Sequence, residues 1–167
     1  EAARVLPPPV VQGDRALPPI AELLQWTGDP SKGAVIFRRP TVNCIGCHQV
    51  GTEGSDFGPA LTEIGTKLGK DALFDSILDP SAGIGFGYED WQFELKNGDE
   101  AFGLIGSETE DQVVLKVPGG TPQRLKKSEI RQRTQQKLSI MPANLQAALS
   151  AQEFVDLIAY LASLKKP

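Results

Sequence analysis

Residues 43–50 read NCIGCHQV, and the fold of the chain turns on them. The stretch holds both cysteines of the 167-residue chain, Cys44 and Cys47, and its only histidine, His48. Three chemistries use Cys-x-x-Cys. A thioredoxin-like redox pair needs the motif at the head of a helix in a βαβ setting. The segment before it reads as helix, and no parallel-sheet pattern follows. A structural zinc site needs four ligands, normally cysteine and histidine. This chain has three such residues, so zinc would require a carboxylate or another chain. The third chemistry is covalent haem attachment, in which two thiols add across the vinyl groups and the adjacent histidine ligates the iron. Both vinyl groups sit on one edge of a rigid ring, which sets the spacing. The histidine must come next so that its ring reaches the iron.

Two features further out sharpen that reading. DFGPAL, residues 56–61, follows within ten residues of the motif. A glycine-proline turn there brings a backbone carbonyl to the far nitrogen of His48, a bond that fixes ring orientation and tautomer. Read blandly, Gly58-Pro59 is an ordinary turn. The only methionine, Met141, lies in SIMPAN, residues 139–144. Alone it would read as a filler of core gaps. Beside a haem motif it is the one thioether available for the sixth iron position.

The rest of the pattern is helix, then strand, then helix. IAELLQWTG is a short helical segment stopped by Gly28. In DPSKGAVIFRR, Asp29 is an N-cap candidate and Pro30 takes the first helical position. GKDALFDSILD has Leu73, Ile77 and Leu78 on one face and is closed by Pro80. The segment EDWQFELKNGDEAFGLI alternates at Trp91, Phe93 and Leu95, and Asn97-Gly98 is a strong hairpin signal. DQVVLKVPGGTPQRLKKSEIRQR predicts two more short strands around Pro118-Gly119-Gly120. SAQEFVDLIAYLASLKK opens with a capping box, Ser150 to Glu153, and carries an apolar stripe from Phe154 to Leu164. Lys165 and Lys166 suit the negative end of its dipole.

Residues 1–19 carry five of the 13 prolines and read as a stiff linker or a simple tail. The chain starts on Glu1 rather than methionine, as expected of a processed product or a piece of something larger. The net charge of −4 argues against nucleic acid. No apolar run approaches the ~18 residues that span a bilayer. Residues 1–123 hold 9 basic and 18 acidic side chains, whereas residues 124–167 hold 8 and 3. Most of that late positive charge lies in Arg124–Lys137. It is either a solvated face or a docking patch for an acidic partner protein.

GDPSKGAVIF, CIGCH, GPAL, SIMP and EFVDLIAYLASL occur in the order found in mono-haem c-type cytochromes, and the chain resembles that family over residues 28–164. The run from Leu73 to Ile105 resembles the haem-binding domain of planctomycetes and verrucomicrobia, often fused to dehydrogenase-like proteins. The resemblance implies a mainly α, class I cytochrome c-like helical fold around one haem. A small antiparallel β insertion is expected at about residues 86–133. Residues 20–167 would form the cytochrome domain, with 1–19 as linker or tail. Carried over by position, Cys44 and Cys47 form the thioethers, His48 is the proximal ligand, Pro59 orients it and Met141 is the distal ligand. Leu61 would be cofactor-binding, and Tyr88 and Trp91 are candidates to pack near the haem or to hydrogen-bond a propionate, with plain strand core as the other reading. Arg38 and Arg39 are candidates for the propionates, though solvated helix-end charges are the plainer reading. The implied role is an electron carrier, periplasmic or exported, between an oxidoreductase, fused or separate, and an acceptor. Its rivals are a peroxidase-like haem enzyme or sensor with a labile sixth ligand and a haem-free or zinc-bearing scaffold.

Overall fold

The computed structural model describes residues 11–12 and 15–165. The remainder of the expected linker, and Lys166, lie outside them. Two short strands, β1 (Val11–Gln12) and β2 (Arg15–Ala16), pair antiparallel within the stretch read as a stiff linker or tail. A single turn, α1 (Ile20–Leu23), drops Leu23 into the core.

Helix α2 (Pro30–Arg38) starts as its sequence dictates. The Asp29 carboxylate accepts from the Ser31 and Lys32 amides at 2.9 and 3.3 Å, filling bonds the first turn cannot make internally. A 3-10 turn, Cys44–Gly46, and a small β3–β4 pair (Gln49–Val50, Glu53–Gly54) follow. The single turn α3 (Ile64–Lys67) and the helix α4 (Lys70–Leu78) come next. The chain closes on α5 (Ala151–Ser163), entered through the expected capping box.

α5 is buried on nearly every side, from Phe154 to Leu161, because α2, α3 and α4 all pack on it. The Phe74 and Phe154 rings meet edge to face at 4.9 Å and Phe37 lies 5.6 Å from Tyr160. At the α2–α5 crossing a Cβ on Gly33 would run into the Asp156 carbonyl, so only glycine permits this approach. The buried Asp156 carboxylate receives the Asp29 amide at 2.8 Å and the Gln152 side chain at 2.9 Å. That bond joins residues 127 apart in the chain.

Between α4 and α5 lies a five-stranded antiparallel sheet in the order β8-β7-β6-β5-β9. Its strands are β5 (Asp90–Leu95), β6 (Glu100–Glu108), β7 (Gln112–Lys116), β8 (Gln123–Lys126) and β9 (Ile130–Gln135). The β5–β6 hairpin turns at Asn97-Gly98 as read, with Gly98 at φ 92°. β8 and β9 form opposite edges, yet only one 3-10 turn, Lys127–Glu129, joins them. A flat sheet would put the edges ~19 Å apart at ~4.8 Å per strand. Four residues reach ~14 Å at most. The sheet therefore curls toward a small barrel, around Phe93, Ala101, Val113, Leu115 and Leu125. Glu108 closes the curl, taking Lys127 at 2.7 Å and Arg133 at 3.0 Å.

The expectation of a mainly α chain is overturned: among the described residues five α-helices share the chain with nine strands. The β portion extends to residue 135 and holds one strand more than the hairpin and the two later strands predicted. β9 escaped the reading because it is an edge strand exposed at every position after Ile130, so no alternation marks it.

Candidate functional site

The attachment motif is held by its own backbone. Asn43 adopts a left-handed conformation, φ 45°, and opens the 3-10 turn that carries Cys44. The His48 amide donates to the Cys44 carbonyl at 2.9 Å, so the imidazole leaves the turn directly after Cys47. The next loop folds back: the Gly58 amide donates to the Cys47 carbonyl at 2.6 Å. A Cβ on Gly58 would lie 2.9 Å from His48 Cε1, so glycine lets the loop lie flat against the ring. The Pro59 carbonyl thereby reaches His48 Nδ1 at 2.8 Å. A carbonyl only accepts, so Nδ1 carries the proton and Nε2 keeps its lone pair. Burial pushes the His48 pKa down, against the pull of Pro59, which favours the neutral ring a metal needs.

Cys44, Cys47 and His48 open onto one apolar cavity of about 340 Å³. Pro59, Leu61 and Tyr88 line it, and so does Met141 from the distant Ser139–Pro142 loop. The Ser139 amide donates to Ser81 Oγ at 3.0 Å and the Met141 amide to Ser139 Oγ at 3.2 Å, which tie that loop to the cavity's rim. Leu73, Ile77 and Leu161 supply helical wall, and Leu104 supplies wall from the sheet. Trp91 is not on the cavity: it packs against the sheet core, with the Arg133 guanidinium 5.3 Å from its ring. Arg38 and Arg39 are also elsewhere, paired with Glu53 and Glu153. Leu104 went unread because it points out of the sheet core. Its one signal is the adjacent pair Leu104-Ile105, apolar on both faces of a strand.

The alternatives fare poorly on this geometry. Redox-active thiols need depressed pKa values, whereas burial pushes Cys44 up to about 11 and raises Cys47. Among the described residues no group of three or more His, Cys, Asp or Glu is placed to hold a metal ion, so zinc lacks its donors. Two thiols, an imidazole with free Nε2 and apolar walls do fit a porphyrin. The site thus defines a haem-binding electron-transfer protein. The cytochrome c family model matches residues 30–113, from α2 into β7, and the chain belongs to that family. No curated protein matches it. Its cofactor is one covalently attached haem c with iron, and the spacing of Cys44, Cys47 and His48 is that of the attachment motif. Among the described residues no helix is long and apolar enough to cross a membrane.

Proposed function

We propose that the chain relays single electrons through a haem c bound by thioethers at Cys44 and Cys47 and held axially by His48 and Met141. The observation that carries this is the meeting of the chain's only histidine and only methionine on the wall of one apolar cavity. When bound, the haem supplies a one-electron centre at its iron. The residues do the rest. His48 presents Nε2 because Nδ1 is committed to Pro59. Met141 offers a thioether, a ligand that raises the potential and leaves no open position for oxygen or peroxide. Leu73, Ile77, Leu104 and Leu161 keep water from the ring and disfavour added charge. We assign the donor and acceptor to separate or fused redox proteins outside the cytosol. An acidic partner would dock on residues 124–137. Glu108 and Glu129 neutralise part of that run, and Lys137 lies two residues from the cavity-lining loop.

Met141→Ala tests the ligation. The haem should stay attached, by intact mass. The far-red charge-transfer band of the oxidised protein should vanish, cyanide should bind readily and the potential should fall. An unchanged band and unchanged cyanide binding would overturn the assignment.

A further inference from the structure

Asp90 opens β5 and contributes nothing to the site described above. Its register partner on β6 is Leu104, a wall of the cavity. Partners across an antiparallel pair project to the same face, so the Asp90 side chain leaves the sheet on the face that Leu104 turns to the cavity, without itself forming part of the wall. Two residues earlier, Tyr88 lines the same cavity. One carboxyl oxygen, Oδ1, is buried with no hydrogen-bond partner. A carboxyl buried without full pairing disfavours its charge. Burial does raise its pKa, against the Trp91 and Gly103 amides, which hold it down.

The groups around it leave that oxygen alone. On the lead-in, Glu89 accepts from the Gly87 amide, and Tyr88 turns to the cavity. On its own strand's face come Gln92 and Glu94. Gln92 donates to Glu100 of β6 and receives the Gln136 side chain. Beyond β9, the Gln136 amide donates to the Asp90 backbone carbonyl, and Lys137 follows. On β7, Lys116, registered opposite Leu104, sends its ammonium to Asp56 at 3.1 Å.

We propose that Asp90 is a redox-linked proton site: it takes up one proton from solvent as one electron reaches the iron, and releases it when the electron leaves. The inference rests on the haem reading. Oxidised iron carries one more positive charge, which favours the carboxylate. Reduction removes that charge, and the same oxygen then holds a proton more tightly. The bond formed is O–H on Asp90, the proton comes from water and the electron from the donor protein. Electron transfer through this cytochrome would thus be coupled to pH by the sheet it carries.

The test is the midpoint potential of the haem-loaded protein from about pH 4 to 8, by spectroelectrochemistry, in wild type and Asp90→Asn. A tenfold tighter proton in the reduced state makes the wild-type potential fall by about 59 mV across the window. Asp90→Asn should lose that fall. Equal falls in both proteins, or a flat wild type, overturn the proposal while leaving the haem reading intact. A wild type without covalent haem by mass sinks the haem reading itself. Where Asp90→Asn does not fold, redox-difference infrared on the wild type decides. Reduction inside the window must raise a protonated-carboxyl band that shifts with ¹³C-labelled aspartate, and no such band overturns the proposal.

Discussion

At the scale of single residues the site is an exercise in commitment. His48 keeps Nε2 available because Pro59 claims its other nitrogen, and Pro59 arrives because residue 58 has no side chain. Gly58→Ala puts a methyl 2.9 Å from the imidazole, with loop backbone on one side and the ring on the other. Such overpacking costs about 1–3 kcal/mol. The haem should remain attached, but the denaturation midpoint of the loaded protein should drop and its histidine-ring NMR signals should move. Unchanged signals would mean that the loop yields and the ring does not depend on it. This much was legible in advance: CIGCH and GPAL state the thiols, the ring and its orienting carbonyl within sixteen residues of one another, roughly the reach of one turn and one loop. Trp91 was legible only as an aromatic on an alternating strand. Which face of the sheet it would take depends on a core formed with residues 101–125.

Elements hold together through contacts between their ends. The Arg39 guanidinium, just past α2, pairs with Glu153 in the first turn of α5 at 2.7 Å, and Glu153 also receives the Ser150 amide. Arg39 chiefly, then that amide, hold the Glu153 carboxyl below the usual carboxylate range. A lowered folded pKa means that the unfolded chain binds more protons. The stabilisation is therefore present above the ordinary glutamate pKa of about 4.3 and is lost as pH falls through the folded value. Each partner is a third exposed, 34% by side chain, so the pair is worth on the order of 1 kcal/mol or less. Glu153→Gln should lower the unfolding free energy from urea denaturation by that amount at pH 6–7 and by less at about pH 3, where the unfolded-state carboxyl is protonated and the advantage is falling away. An equal loss at both pH values would assign the effect to packing. Another tie crosses between lobes: the Lys116 ammonium of β7 donates to the Asp56 carbonyl at 2.8 Å, on the loop that carries Phe57 and Pro59. The sheet thus touches the loop that orients His48.

At the scale of the molecule the described residues form two cores. One joins the helices around Phe74 and Phe154, and the other fills the curled sheet around Phe93 and Leu115. The cavity draws on the first through Leu73, Ile77 and Leu161, and on the sheet's outer face through Leu104. Removing the haem should then weaken the helical half selectively, since its apolar walls lose their filling at roughly 25 cal/mol per Å². In a Cys44→Ala/Cys47→Ala variant, hydrogen exchange should speed by tenfold or more in α4 and α5, while the amides of β5–β7 stay protected. Uniform loss of protection would show one cooperative core instead. The sequence by itself determined the attachment turn, the caps of α2 and α5, the Asn97-Gly98 hairpin and the chemistry of the site. Each depends on groups a few residues apart, where backbone preference and turn geometry act without help. Only the tertiary structure decided that β8 and β9 form opposite edges of a curled sheet and that Leu104 lines the cavity, and it brought Met141, expected from the resemblance, onto the same cavity as His48. Those outcomes depend on which face each element buries, a choice made when two hydrophobic cores compete for the same chain.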